Sequence, residues 1–536
     1  MALLGDWRHI IFQLILFAFA VQCSDNLKKD VADSWGTEFI FIIPPNKLVA
    51  FHAFCYIFAW NKNTYVALNI EYTKIDNAKV TRKMDSVEFR SFRRYDFENL
   101  VMMEGNEGLQ MLGNDRIHII ASEKISLTCY TYDHNSFADM FLVHPVGMGG
   151  DFYAFSLPGR STMTLYLLPL GATNETISQS YDVHSVSLKV RQKNKIINIK
   201  QDMKAGSLWQ YRERVEQTIS IWIHDELNNT DVRKSVQNNS IIKIARMIVI
   251  ASIRDIAIAG TKKNDFACFM PTPMIVDRCA RLTNPTYHPA RQAFAHNLLF
   301  TAPSHLCPEE TIDIKSDLTT EWTSLSVKWD EDVEEVSMKK IGDKSKFIMQ
   351  SGRTMMNIIN YGGSNGIYLH EIPEYSQWIS DESFTTWVPP GFIGAAYALM
   401  ASGETPSNLS LYKLSLNTHS AYRLSFQGKF TRYLPIIIGE GNGTSIGYIP
   451  AINLRHILQP IFAAPTTIAP LTTTTVTETV TAEDEECIAD FAVINSSTKS
   501  PTSTRIKMRK IASLMALSNS LFAICICFMA YSENEQ

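Results

Sequence analysis

Histidine, cysteine and carboxylate side chains are where chemistry would be sought, and they gather in two stretches. His288, His296, His305 and Cys307 form the first. Imidazole and thiolate groups hold zinc when they recur in closely spaced pairs, and this spacing fits no common zinc pattern. The three histidines therefore read as surface or loop residues, and Cys307 as half of a disulfide. Asp330, Glu331, Asp332, Glu334 and Glu335 form the second stretch. Paired carboxylates can cleave glycosidic bonds or bind calcium. Without partner residues at defined spacing, a charge run of this kind reads as a solvated loop or an exposed strand. Neither a His-Glu-x-x-His zinc motif nor a Gly-x-x-x-x-Gly-Lys phosphate cradle occurs, so no catalytic residue, metal ligand or cofactor is assigned.

Composition bounds the elements that could position such groups. The chain has 536 residues, 46% hydrophobic and 19% charged, with 50 Lys+Arg against 54 Asp+Glu. That apolar content excludes a disordered chain, and the near-neutral balance excludes a general nucleic-acid binder. At ~150 residues per domain, the length allows roughly three or four domains. The basic stretch 189–200 carries no aromatic residue and reads as an exposed strand face, as does 90–94.

The two ends carry processing signals. Arg8 and His9 precede an apolar run at 10–20, with Ala18 and Ala20 placed as the small residues of a cut. This is the pattern of a secretory signal peptide, assigned to 1–23 with cleavage after Ala20 or after Cys23. The run is too short for a bilayer-spanning helix, which needs about 20 residues. A second apolar run, 511–531, is long enough. Lys507, Arg509 and Lys510 precede it, so a retained span would put the basic cluster outside, against the positive-inside rule. A glycolipid-anchor signal removes that conflict, with Asn495-Ser-Ser497 as its small residues. Either alternative attaches the C-terminus to a membrane.

Residues 461–510 read as a stalk, because Pro465, Pro470 and the Thr series in 463–486 leave nothing to bury. Such tracts are typically O-glycosylated and extended. Sequons at Asn174, Asn228, Asn238, Asn408, Asn442 and Asn495 fit passage through a lumenal compartment. Outside the two ends stand Cys55, Cys129, Cys268, Cys279, Cys307 and Cys487, an even number that favours disulfides in an oxidising compartment. Cys55 and Cys129, both in β-like runs, are the expected first pair.

The body reads as all-β. Segments 38–43, 65–72, 163–168 and 186–190 are short, rich in β-branched and aromatic residues, and bounded by turn formers. Helical periodicity is confined to 208–217 and 290–299. An internal repeat emerges when the chain is laid over itself. Ile119-Ile-Ala-Ser122 leads through Asp139 to Pro145, and Val249-Ile-Ala-Ser252 leads through Asp265 to Pro271. A weaker third copy runs from Ser351 to Pro373. A second element, Trp35-Gly36-Thr-Glu38-Phe39, recurs as Gly149-Gly150-Asp151-Phe152 and, degenerately, as Gly394-Ala-Ala-Tyr397. Units at 24–145, 146–271 and 272–373 with a partial fourth at 374–460 imply tandem β-sandwiches or propeller-like blades.

The stretch from Ile119 through Asp139-Met-Phe-Leu-Val-His-Pro-Val-Gly-Met-Gly-Gly-Asp-Phe-Tyr153, with Trp35-Gly-Thr-Glu-Phe39, resembles the N-terminal domain of the IgG-Fc-binding protein family. That domain typically shows an aspartate and an apolar strand, then Pro-Val, then Gly-x-Glu/Asp-Tyr/Phe. The resemblance is clearest over 35–190 and extends to about 455. It implies an extracellular, non-enzymatic binding or adhesion module that recognises a glycoprotein, a mucus or matrix component, or a microbial surface. The cysteine-dense von Willebrand D modules of the mucus-type members are lacking, and no residue motif carries immunoglobulin binding over. A hydrolase on a β-scaffold and a structural surface-coat glycoprotein are the alternatives.

Overall fold

The computed structural model describes residues 34–44, 52–59, 65–76, 78–88, 92–100, 104–113, 116–132, 138–170, 183–193, 195–227, 247–254, 266–274, 286–291, 296–302, 309–316, 321–329, 331, 334–337, 346–351, 356–362, 367–378, 384–388, 392–401, 409–416, 422–427, 432–441, 444–450 and 490–495. Of the interpretable region 72% is strand and 2% helix, so sheets alone build the core. The segment 1–23 read as a signal peptide, the Thr-rich tract 463–486 and the apolar run 511–531 lie outside the described residues. Among those described, no helix is long and apolar enough to cross a membrane.

The strands fall into groups along the chain. The first holds β1 (Gly36–Phe41), β2 (His52–Ala59), β3 (Tyr65–Thr73), β4 (Lys79–Glu88), β5 (Phe92–Asp96), β6 (Gly108–Met111), β7 (Ile117–Tyr132) and β8 (Ala138–Val143). The second holds β9 (Phe152–Leu157), β10 (Ser161–Pro169), β11 (Val183–Gln192), β12 (Lys195–Lys204), β13 (Trp209–Val215), β14 (Ile219–Leu227), β15 (Met247–Arg254) and β16 (Phe266–Phe269). The third holds β17 (Thr286–Arg291), β18 (His296–Phe300), β19 (Glu309–Ser316), β20 (Thr323–Lys328), β21 (Glu334–Ser337), β22 (Lys346–Ser351), β23 (Ile358–Gly362) and β24 (Tyr368–Ile372). The fourth holds β25 (Phe384–Val388), β26 (Phe392–Ala401), β27 (Leu409–Leu416), β28 (Tyr422–Gln427), β29 (Arg432–Gly441) and β30 (Thr444–Pro450), and β31 (Asp490–Asn495) follows.

One pair of strand orders recurs. The second group forms sheets β16-β15-β10-β13 and β9-β14-β11-β12, and the third forms β24-β23-β18-β21 and β17-β22-β19-β20. Numbered within its group, each pair runs eighth-seventh-second-fifth and first-sixth-third-fourth. The first group follows the same plan with one change. Its β7 is a single strand of 16 residues that serves as both sixth and seventh. Residues 117–121 of β7 pair with β1 on one edge and β3 on the other, whereas 125–132 pair with β8 and β2. The two layers are thereby fused into one seven-stranded sheet that curls into a half-barrel. The left-over strand β6 crosses to pair with β13 and extends the second group's sheet.

Burial explains why the inner strands carry apolar residues on both faces. In β10, Met163, Leu165 and Leu167 enter one core while Tyr166 and Leu168 enter another. In β15, Val249 and Ala251 divide from Ile248 and Ile250 in the same way. A strand covered on both faces reads as a continuous apolar run, and one with a solvated face alternates. Strand β12 is the contrast, since its burial alternates between exposed and intermediate over most of its length. The stretches read as helical, 208–217 and 290–299, are strands instead: β13, then β17 and β18. Pairing of β13 with β10 decides the first, because tertiary neighbours override a weak local period.

The repeat is real in register but shifted from the reading by sequence. Leu127 pairs with Val143, Ala251 with Phe269, Ile359 with Glu371 and Ile438 with Tyr448. Each second partner stands two residues before a proline: Pro145, Pro271, Pro373 and Pro450. Ser252 therefore corresponds to Thr128, not Ser122, and the distance to the closing proline is 17 residues in the first copy and 19 in the second. In the third copy the matching position is Asn360, not Ser351. The Ala-Ser at 121–122 lies where β7 crosses from one layer to the next, which is why the two motifs look alike but are not equivalent.

The strands before those prolines meet one another. Strand β8 packs on β16 and β30, and β24 packs on the same two, so the four form a closed ring. Glycines close two of the groups: a Cβ on Gly36 would lie 2.4 Å from Cβ of Pro145, and one on Gly150 would lie 2.2 Å from Cβ of Pro273. In the first core, Cys55 and Cys129 are bonded across the directly opposed strands β2 and β7, as expected.

Two outcomes follow for stability. Gly36→Ala and Gly150→Ala should each lower the melting temperature, at a cost of about 1–3 kcal/mol from forced overpacking. Replacing both Cys55 and Cys129 with Ala should cost about 4 kcal/mol, read by denaturant unfolding, because the bond closes a loop of 74 residues.

Candidate functional site

A pocket lies where β8, β16 and β24 of the ring meet, built from residues next to the closing prolines. Strand β8 contributes Met140, Leu142 and the following His144; β16 contributes Cys268, with Met270 and Thr272 beyond it; β24 contributes His370 and Glu371. The accessible cavity is about 50 Å³. That volume admits water and falls well short of the ~300 Å³ at which small-molecule sites begin.

Polar groups stitch the ring where no backbone ladder does. The Asp139 carboxylate on β8 accepts the Cys268 backbone N–H on β16 at 2.6 Å. From the other side, the Glu371 carboxyl on β24 meets the Thr272 N–H at 2.8 Å and the Thr272 hydroxyl. Nδ1 of His370 lies 2.9 Å from the Glu371 carbonyl oxygen, and its Nε2 lies 3.2 Å from Nδ2 of Asn360. Burial pushes the Glu371 carboxyl up to about 7, against the lowering effect of its bonds to Thr272. Burial, and then Asp139, push the Cys268 thiol up as well, which keeps it protonated and a poor nucleophile.

A second constellation joins the second and third groups on the outer side of β11 and β14. The Trp222 and Trp329 rings lie 4.2 Å apart between centroids. The Lys189 ammonium stands 4.3 Å from the Trp329 ring, and the Arg191 guanidinium 5.4 Å from Trp222 and 5.5 Å from Trp329. Arg191 is buried, donates to the Glu331 carbonyl at 3.3 Å, and Trp222 donates to the Ala302 carbonyl at 2.9 Å. The reading of 189–200 as an exposed face therefore fails over β11. Its aromatic partners come from strands far away in sequence, so composition within the stretch could not reveal them. Within 90–94, Arg93 and Arg94 are exposed as expected, and Arg94 lies 3.7 Å over the Phe54 ring.

The residues singled out by sequence are placed as follows. Glu38 bonds His118 at 2.9 Å across β1 and β7, and Phe39 is buried in the first core. Asp151 offers its backbone carbonyl to the Asp225 N–H, while Phe152 packs with Trp222 and Met274. Pro271 is buried beside the ring. Cys268 is a free, buried thiol and not a disulfide half, a correction imposed by its position deep in the ring. Asp265, Cys279, Cys307, Cys487, His305, Asn174, Asn228, Asn238, Asn408 and Asn442 lie outside the described residues. Asn495 ends β31, and that strand falls inside the span read as stalk. His288 and His296 stand in strands of different sheets, not in loops. Among the described residues, no three His, Cys, Asp or Glu side chains are grouped to hold a metal.

Sequence inspection also passes over a signal present twice. Gly362-Gly-Ser364-Asn-Gly366 and Gly443-Thr-Ser445-Ile-Gly447 both have the Gly-x-Ser-x-Gly spacing of a nucleophile elbow. An elbow needs a strand running into a helix. These lie between or within the antiparallel partners β23 and β24, and β29 and β30, and no described residue there runs from a strand into a helix. Set beside known proteins, the chain matches no protein family, no curated protein and no solved structure.

The Glu371 carboxyl makes a pH signature. Its folded value is raised, so its contribution to stability is complete below the ordinary carboxylate range and is lost as pH rises through about 7. Thermal unfolding from about pH 5 to 8 should therefore show a decline that Glu371→Gln flattens.

Proposed function

We propose that the protein is an extracellular, membrane-anchored binding or adhesion ectodomain without enzymatic activity. Its ligand is a glycoprotein, a mucus or matrix component, or a microbial surface. The observation that carries this reading is the recurrence of one pair of strand orders in group after group, with the last strands closed into a ring. Such a propeller-like array of two-layer units is a rigid scaffold that leaves its connections free to present contacts, and binding residues concentrate on loops held by rigid scaffolds. The Cys55–Cys129 bond supports an oxidising compartment. The ends of the sequence supply the route and the anchor, by a glycolipid or a single span. Kinship with the IgG-Fc-binding protein N-terminal domain rests on the motif at 119–153, whose Asp139 and Pro145 the structure uses in the ring.

Cells expressing the full chain should retain labelled mucins, a glycan panel or bacteria in a saturable manner that untransfected cells lack. Uniform failure across the panel would overturn the reading. Phosphoinositide-specific phospholipase should release the chain if the anchor is a glycolipid and leave it in place if the span is retained.

A further inference from the structure

The fourth group of strands is short by two positions. In the second and third groups the chain visits all eight positions in turn. In the fourth, β26 takes the second position and β27 the fifth, with only seven residues, 402–408, between them. The third and fourth positions are thus skipped. Elsewhere the third-position strand pairs antiparallel with the sixth: β3 with β7, β11 with β14, and β19 with β22. In the fourth group the sixth position is β28, and the strand antiparallel to it is β31, from Tyr422 opposite Asn495 to Gln427 opposite Asp490. Thirty-nine residues, 451–489, separate Pro450 from β31, which lies beyond the Thr-rich tract.

We propose that Asp490–Asn495 is a complementing strand, supplied in cis, that fills the third position the fourth group lacks. Two independent observations meet here: a deletion in the order of strands, and a remote strand seated in the slot the deletion leaves. The segment suits the task, since Phe491-Ala-Val-Ile494 is the one apolar β-type run between the Thr-rich tract and the C-terminal apolar run. An unpaired sheet edge is a template for a further strand, and covering it prevents association with other chains. In consequence the Thr-rich tract is held at both ends, and the ring is tied directly to the membrane-proximal tail. This inference does not depend on what the ectodomain binds.

Ser425 and Ala492 stand directly opposite one another. Directly opposed positions have Cβ atoms about 4.5–5.5 Å apart, and a disulfide can form there with little backbone adjustment. The full chain carrying Ser425→Cys and Ala492→Cys, with a protease site inserted in 466–481, should give a monomer on a non-reducing gel. After cutting, its two fragments should stay joined until reductant is added. Each single variant controls for bonding to Cys487 and should release its fragment. Release of the fragment from the double variant would overturn the proposal. A covalent dimer would overturn supply in cis and assign the strand to a second copy. As a separate readout, Ala492→Pro in the full chain should increase proteolysis within 384–450 at least several-fold, because proline removes a ladder donor. An unchanged cleavage pattern would show that the group does not depend on the strand.

Discussion

Strands without a solvent face dictate this architecture. The residues of β9, β10 and β15 are apolar on both sides, and β1 joins them from Phe39 onward, so each needs a layer above it and another below. A single sandwich can supply only one of those layers. The remaining face has to be covered by the neighbouring group, so the groups stack on one another instead of standing apart as beads. First-position strands show this most directly. Strand β1 touches β15 of the next group, and β9 touches β18 and β23 of the next after that. The same contact recurs one group later because the same two-sided strand recurs.

Stacking of this kind buries backbone and polar groups at the seams, and an unpaired buried donor costs about 1–3 kcal/mol. Among the described residues, side chains reach across the seams between the first three groups. Asp139 serves the β16 backbone, Glu371 serves Thr272, and Trp222 serves the Ala302 carbonyl. At the edge where β6 crosses over, Glu104 is shared by Arg212 and Arg254, and Gln210 accepts the Gly105 N–H. These bonds set the relative placement of groups more than they add net stability, since buried charged pairs roughly cancel their own desolvation. Glu371 illustrates the balance, its carboxyl displaced upward by burial in spite of two bonds.

Legibility in the sequence followed distance along the chain. Segments such as 163–168 could be recognised as strands because β-branched and aromatic residues cluster locally, and the Cys55–Cys129 pair because both cysteines lay in such runs. The motif at 119–122 misled for a local reason too: it matches 249–252 at three of four residues, yet β7 carries it in the wrong half of a strand that crosses layers. No inspection of 189–200 could disclose that Arg191 faces both Trp222 and Trp329, since those rings arrive from two other segments.

What the sequence determined by itself is therefore the material: an all-β chain, apolar enough to fold by core burial and patterned into repeats closed by prolines. Two-residue periodicity, turn formers and spacing are local properties that survive without a fold. The tertiary structure alone decided which strands are neighbours, where the repeat begins, that Cys268 stays a thiol, and that the last strands close a ring. Those outcomes depend on contacts between residues tens to hundreds of positions apart. Such contacts exist only when all the layers are in place.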